Sequence, residues 1–290
     1  MRVLHTKLLK DALGQEWTMG FLLSDMEFNL FAKLIYDQSG IHFSPMNRSI
    51  LESRLQERLK QTAYEDVTAY YNYINKDPEE MRKLLDAVTT NLTRFFRNPG
   101  HFETLKNYVL PDLVAYKTKK NNPVLRVWSA GCATGEEPYS IAMVLKDCLP
   151  PFFEIKIIAS DLSLKSLLIA QEGYYPENKI EGVPPAYLNT FFDKKNGGYK
   201  VKDELKAIIR FDYHNLKYAS GLHDLDIVFC RNVIIYFDEA AQRAVINRFW
   251  ESMSSHAFLF LGHSESLFGM NTGFEFVKTD WSVIYRKHVQ

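Results

Sequence analysis

From residue 123 onward, short apolar runs alternate with stretches of helical period, and this alternation constrains the fold more than any other feature of the chain. The runs are LRVWSA (125–130), FEIKIIAS (153–160), IIRFDY (208–213), DIVFCR (226–231) and FLFLGH (258–263). Helical stretches at about 136–148, 163–172 and 239–253 separate most of them. Near-continuous apolar strands joined by helices predict a parallel sheet buried on both faces. The last segment, FEFVKTDWSVIYRK, alternates well enough to close the sheet with a pair of strands. Between Tyr174 and about Asp212 the alternation is interrupted by Pro184-Pro185, by AYLNTFF and by FFDKKNGGYKVK. The Asn196-Gly197-Gly198 turn signal marks a hairpin there. This predicts a small antiparallel β-subdomain inserted at 174–211.

Residues 23–91 read differently. Ser24 and Glu27 form a capping box, after which Phe28, Phe31, Leu34 and Ile35 line one helical face as far as Gly40. Ser44-Pro45 and Asp77-Pro78 are helix starts. Leu51, Leu55 and Leu59 follow the first at four-residue spacing, and Met81, Leu84, Leu85 and Val88 follow the second. No strand-like alternation precedes residue 123. The expected architecture is a segment 1–22 to which nothing is assigned, an all-helical domain at 23–91, and an α/β, doubly wound, Rossmann-like domain at 92–290.

A chain of 290 residues accommodates both domains. Thirty-five basic and 35 acidic residues cancel, which excludes a protein that works chiefly by gripping nucleic acid phosphates. Three cysteines without metal-ligand spacing predict a reduced, cytoplasmic protein with no metal site. No apolar run reaches the ~20 residues a membrane-spanning helix needs, and the N-terminus lacks a secretory signal pattern.

The chemistry is expected at the carboxyl ends of the strands, where open α/β sheets bind ligands. VWSAGCATGEEPYSIAM (127–143) takes the first strand into a small-residue loop and then a helix. Its G-x-x-x-G spacing is not the dinucleotide fingerprint. Glu136 and Glu137 in the first helical turn would repel a diphosphate but suit a neutral or cationic ligand. They could equally just complement the helix dipole. Asp161, at the tip of the second strand, stands where a ribose diol is held in such sheets; the alternative is a cap on the following helix. A ribose, no diphosphate signature and nearby acids together suggest S-adenosylmethionine, a nucleoside carrying a sulfonium. Asn215 and Leu216, after the third strand, suit an adenine edge. Arg231, Asn232 and Tyr236 follow the fourth. Two motifs are decoys: Gly262-His263-Ser264-Glu265-Ser266 departs from the nucleophile elbow at its fifth position, and Cys132 is a small loop residue with no partner histidine.

NLTRFFRNPGHF (91–102), VWSAGCATGEEPYSIA (127–142), IIASDLS (157–163), FCRNVIIYFD (229–238) and LGHSES (261–266) together resemble the CheR family of chemotaxis receptor methyltransferases. The resemblance runs from about residue 22 to the C-terminus and includes the inserted β-subdomain. It implies methyl transfer from S-adenosylmethionine to glutamate carboxylates of chemoreceptors. It further implies cofactor contacts at Asn91, Thr93, Arg97, Glu136, Asp161, Asn215, Leu216, Arg231 and Asn232. Arg97 and Tyr236 would face the methyl group and the incoming glutamate, with Phe95 and Phe96 pinning the segment that carries Arg97. The implied partner is the cytoplasmic helical bundle of a chemoreceptor, met by a basic helix face at Arg48, Arg54 and Arg58, though Glu52 and Glu57 share that helix. Some members also bind a receptor's C-terminal tail by adding a strand to the β-subdomain. The compact hairpin DKKNGGYK favours docking that needs no tail. A nicotinamide-dependent oxidoreductase and a non-catalytic cofactor-binding adaptor are the competing expectations.

Overall fold

The computed structural model describes residues 8–10, 16–18, 22–64 and 66–289. The chain divides into two units, 1–90 and 91–290, with the change falling one residue before the boundary expected from sequence.

In the first unit, two short strands, β1 (Leu8–Lys10) and β2 (Glu16–Thr18), pair antiparallel, contrary to the expectation of no strand before residue 123; at three residues each they are too short to show an alternating pattern. Four helices follow: α1 (Asp25–Ser39), α2 (Arg48–Leu59), α3 (Val67–Ile74) and α4 (Pro78–Val88). The Ser24–Glu27 capping box forms, and Gly40 ends α1 in the left-handed region at φ 80°. The Ser44-Pro45 signal starts a 3₁₀ turn, Pro45–Asn47, that leads into α2. Phe31, Ile35, Leu51, Leu55, Tyr70 and Leu84 fill the core of this unit.

The second unit opens with α5 (Pro99–Thr104), continues through a π-helical turn at Leu105–Val109 into α6 (Leu110–Lys119), and then enters the sheet. The α/β elements are β3 (Val124–Ala130), α7 (Glu136–Cys148), β4 (Glu154–Asp161) and α8 (Leu164–Glu172). The insertion comprises β5 (Tyr174–Pro176), α9 (Pro185–Phe191), β6 (Phe192–Lys195), β7 (Gly198–Val201) and α10 (Asp203–Lys206). The chain then returns through β8 (Ile209–Tyr213), β9 (Leu225–Cys230), α11 (Glu239–Ser252), β10 (Met253–Leu261), β11 (Glu275–Lys278) and β12 (Val283–His288).

The seven-stranded sheet has the order β11-β12-β10-β9-β3-β4-β8. β8, β4, β3, β9 and β10 run parallel, and β12 is antiparallel to both of its neighbours. β5, β7 and β6 form the separate antiparallel sheet of the insertion. Because β8 already pairs with β4 from Ile209, the insertion ends before residue 209 and not at 211 as read from the sequence. The sheet separates two apolar cores. Val127, Ile227, Phe229, Phe258 and Phe260 face one, with α5–α7 and the insertion. Trp128, Val228, Cys230, Leu259 and Leu261 face the other, with α11. This strict alternation explains the continuous apolar runs, since each side chain in turn meets a covered face. The strand order reverses between β3 and β9, and open α/β sheets bind their ligands beyond the carboxyl ends of the strands at such a point.

Candidate active site

The loop after β3 is anchored directly to β4. The amides of Gly131 and Cys132 both donate to the Ser160 carbonyl, at 2.8 and 2.9 Å. Gly131 has φ 83°, and a Cβ there would lie 2.4 Å from Val233. Gly135 has φ 96°, and a Cβ there would strike Ala170 and the Tyr175 hydroxyl, each at 2.8 Å. Both glycines therefore serve the packing of this loop against its own chain, in addition to the left-handed backbone. Cys132 is buried, and burial pushes its thiol well above the ordinary range, which disfavours the thiolate a nucleophile would need.

Asp161 is buried at the tip of β4. One carboxylate oxygen accepts from the Ala133 amide and the other from the Ser163 amide, both at 2.8 Å. The helix cap is Ser163, whose side chain accepts from Ser166. Asp161 thus ties the glycine loop to the second strand, at the edge where such sheets hold a ribose. Its carbonyl receives the His214 amide at 3.0 Å, drawing the Tyr213–Leu216 loop to the same edge. There Asn215 Oδ1 accepts from the Lys217 amide at 2.9 Å. The Leu216 side chain is buried in the α11-side core, and its carbonyl accepts from Arg248 Nη1 at 3.2 Å.

Glu136 and Glu137 are both held inside the site. Glu136 accepts from the Thr134 hydroxyl at 2.6 Å, and burial raises its pKa. Glu137 accepts from Ser129 Oγ at 2.8 Å and faces Arg231 Nη1 at 3.2 Å. Burial raises the Glu137 pKa, with Arg231 opposing the shift. The Arg231 guanidinium also donates from Nη2 to the Arg97 carbonyl and lies over the Phe102 ring. Arg231, expected as a cofactor contact, thus spends two of its nitrogens joining α7, β9 and the segment around Arg97.

That segment is tightly fixed. Phe95 is buried, edge-on to Tyr175 at 4.8 Å and Phe192 at 5.7 Å. Phe96 packs on Phe102 and Tyr187. Its left-handed backbone, at φ 50°, is secured by its amide donating to Ser140 Oγ at 3.0 Å. A non-glycine residue persists there only when its surroundings over-determine it. Arg97 follows, partly exposed, with Nη1 donating to the Leu92 carbonyl at 2.9 Å. Asn91 and Thr93 lie just upstream and are partly exposed. Tyr236 ends a 3₁₀ turn, Ile234–Tyr236, beyond β9 and is also partly exposed.

Sequence reasoning missed Glu265, which lies in the motif set aside as a hydrolase decoy. Its buried carboxylate accepts four backbone amides: Gly262 at 2.6 Å, Asn232 at 2.8 Å, Val233 at 2.9 Å and Ile235 at 3.3 Å. Ser264 is exposed and no helix follows it.

The arrangement suits a polar, partly cationic nucleoside ligand. Arg231 Nε, Asn232 Oδ1 and His214 Nε2 are buried without a protein partner, and each lies in a loop at the carboxyl edge of the sheet. Buried groups of this kind need a partner. The acidic first turn of α7 disfavours a diphosphate.

Strand order, the anchored glycine loop and the acidic first turn of α7 fit a Rossmann-like S-adenosylmethionine-dependent methyltransferase. Residues 91–283 match the family described as CheR methyltransferase, SAM binding domain, and residues 26–89 match its all-alpha domain. The chain belongs to the CheR methyltransferase family. It is 37% identical over 263 residues to a chemotaxis protein methyltransferase of Borreliella burgdorferi, covering 87% of this chain and 91% of that protein. Against the chemotaxis protein methyltransferase of Escherichia coli the identity is 34%, over 87% of this chain and 88% of that one. S-adenosylmethionine is the cofactor and methyl transfer in chemotaxis the activity. Among the described residues no helix is long and apolar enough to cross a membrane.

In the helical unit, the three candidate docking arginines differ in how far they are engaged. Arg58 is 12% exposed at its side chain and grips Glu80 through Nε and Nη2, both at 2.7 Å, with Tyr70 bonded to the same carboxylate. Arg48 pairs with Glu52 at 3.0 Å and with Asp25 at 2.5 Å. Arg54 makes a loose 3.8 Å pair with Glu57 and is 38% exposed. A single free basic stripe, as read from the sequence, is therefore reduced to Arg54, because buried carboxylates hold the other two.

Proposed function

We propose that this protein methylates glutamate side chains on the cytoplasmic helical bundle of chemoreceptors, in the cytoplasm, giving glutamate methyl esters and S-adenosylhomocysteine. The observation that carries this reading is Arg97, held by the Phe95–Phe96 anchor beside the Glu137–Arg231 pair. S-adenosylmethionine, when bound, supplies an electrophilic methyl group on a sulfonium. A glutamate carboxylate, with an unperturbed pKa of about 4.3, arrives ionised and needs no general base. The protein's part is then to orient and desolvate it. Arg97 presents a planar fork that can hold a carboxylate in a fixed direction, which a lysine cannot. Tyr236 offers a hydroxyl at the same edge. Asn91, Thr93, Glu136, Asp161, Asn215, the Leu216 backbone, Arg231 and Asn232 would bind the cofactor, with Asp161 on the ribose and Asn215 and Leu216 on the adenine. The partly exposed Arg54 would meet the acidic face of the receptor bundle. The outer strand β6 leaves an edge of the insertion's sheet on which a receptor tail could pair, although the compact hairpin favours docking without it.

Arg97→Lys tests the reading. The variant should fold and bind S-adenosylhomocysteine within a few-fold of the unaltered protein, yet lose at least tenfold in kcat. Unaltered turnover would exclude Arg97 from orienting the carboxylate.

A further inference from the structure

We infer that Glu265 is a positioning residue for methyl transfer: its carboxylate sets the loop that carries Asn232 and Tyr236. The inference rests on the placement of those two residues proposed above. Glu265 follows β10 and reaches across to the loop after β9, about thirty positions earlier in the chain. Oε2 accepts the amides of Gly262 and Asn232, and Oε1 those of Val233 and Ile235. Three of these four donors belong to the segment between Arg231 and Tyr236. A carboxylate that collects several amides in this way acts as a rigid template, because charge-assisted hydrogen bonds are short and strong.

Two further features indicate that the loop is shaped around this carboxylate. Asn232 has a left-handed backbone, at φ 60°, a conformation asparagine tolerates better than other side chains and one that turns the Asn232 and Val233 amides toward the same carboxylate. Gly262 leaves the space for the contact: a Cβ there would lie 2.7 Å from Glu265 Oε2 and 2.9 Å from the Asn232 amide. The same loop, at the carboxyl edge of the sheet, holds Asn232 Oδ1 buried and without a protein partner. Glu265 thus fixes the direction in which Asn232 meets the cofactor, and fixes the turn that ends in Tyr236, by holding their backbone and not by contributing a ligand contact of its own.

Glu265→Gln keeps the volume of the side chain but must turn its NH₂ group toward one of the two pairs of amides, Gly262 and Asn232 or Val233 and Ile235. Glu265→Asp keeps the charge and falls one methylene short. Both variants, checked for fold by circular dichroism, are expected to bind S-adenosylhomocysteine at least tenfold more weakly in calorimetry. Their KM for receptor-bearing membranes should stay within twofold of the unaltered protein. A merely destabilising change would not split the two in this way. Asn232→Ala should weaken cofactor binding similarly and add little when combined with Glu265→Gln, because the two act through one contact. A folded Glu265→Gln protein with unaltered affinity, beside a weakened Asn232→Ala, would overturn the positioning role while leaving the cofactor site intact. Unaltered affinity in Asn232→Ala would overturn both. Hydrogen exchange on the unaltered protein tests the role independently of any variant's folding. Protection of the Asn232, Val233 and Ile235 amides comparable to β9 supports the template, and loop-like rapid exchange overturns it.

Discussion

Replacing Arg231 by methionine removes a cation from a buried pair while keeping a stem that can pack on Phe102. Its side chain is 1% exposed and that of Glu137 is 12% exposed, with 3.2 Å between the charged groups. Removing one partner of a buried pair strands the other charge, at a typical cost of about 3–5 kcal/mol. For a domain of this size, that is a drop in melting temperature of roughly 6–20 °C. The loss should depend on pH in a defined direction. Burial already raises the Glu137 pKa, and Arg231 is the main influence holding it down. Without Arg231 it rises further, so protonation of Glu137 relieves the mutant more than the parent. A folded pKa above the unfolded one gives stability that is present at low pH and lost as pH rises through the folded value. The gap between Arg231→Met and the parent should therefore shrink from pH 7.5 to pH 5 in urea titrations. Adding Glu137→Gln should recover more than half of the loss at pH 7.5. A loss below 1 kcal/mol, or no recovery in the double variant, would refute the claim that this pair braces the site.

Other expectations follow from single contacts. Arg58→Ala should destabilise the helical unit by about 3–5 kcal/mol, since Glu80 is left buried without its cation, whereas Arg54→Ala should leave stability within ~0.5 kcal/mol and raise the KM for receptor membranes. His101 is buried beside Arg231 and His263, and burial lowers its pKa to about 3. It should show no NMR titration between pH 5 and 8. Because the unfolded chain takes up this proton near pH 6.5 and the native state does not, His101 contributes stability above that pH and removes it below, at up to ~1.4 kcal/mol per pH unit. His101→Phe should accordingly resist acid better in urea titrations at pH 5.

What the sequence discloses here is local or periodic. Ser24–Glu27, Asp77-Pro78 and Gly40 act within a few residues of their own positions, so their roles are legible in one dimension. The sheet was legible because β3, β9 and β10 are covered on both faces and so remain apolar throughout. The start of β10 was not, because the polar Ser254 and Ser255 lie inside a strand that begins at Met253. Helix α3 was not delimited either: VTAYYNYI is rich in β-branched and aromatic residues, which are weak helix formers, and packing on Phe31 sustains it. At the site, the string TRFFR raised the question of what two phenylalanines do beside Arg97, and the family resemblance supplied the expectation that they anchor it, as their packing shows. The functions of Glu137 and Glu265 were not, because their partners lie 94 and about 30 positions away. Only the fold brings those pairs together. Arg58 gives the same lesson in reverse, since its spacing beside Arg54 suggested a docking stripe and its actual partner is Glu80.

The central claim is that the accepting group is a glutamate carboxylate, and a radiolabelled methyl group tests it most directly. The protein would be incubated with methyl-labelled S-adenosylmethionine and chemoreceptor-bearing membranes of the same organism, and the labelled protein then treated with alkali. Release of the label as volatile methanol, at a rate expected of a carboxyl ester and mapped to glutamates of the receptor bundle, is the predicted result. Label that stays on protein through alkali would contradict it, because nitrogen- or thioether-linked methyl groups survive that treatment and esters do not.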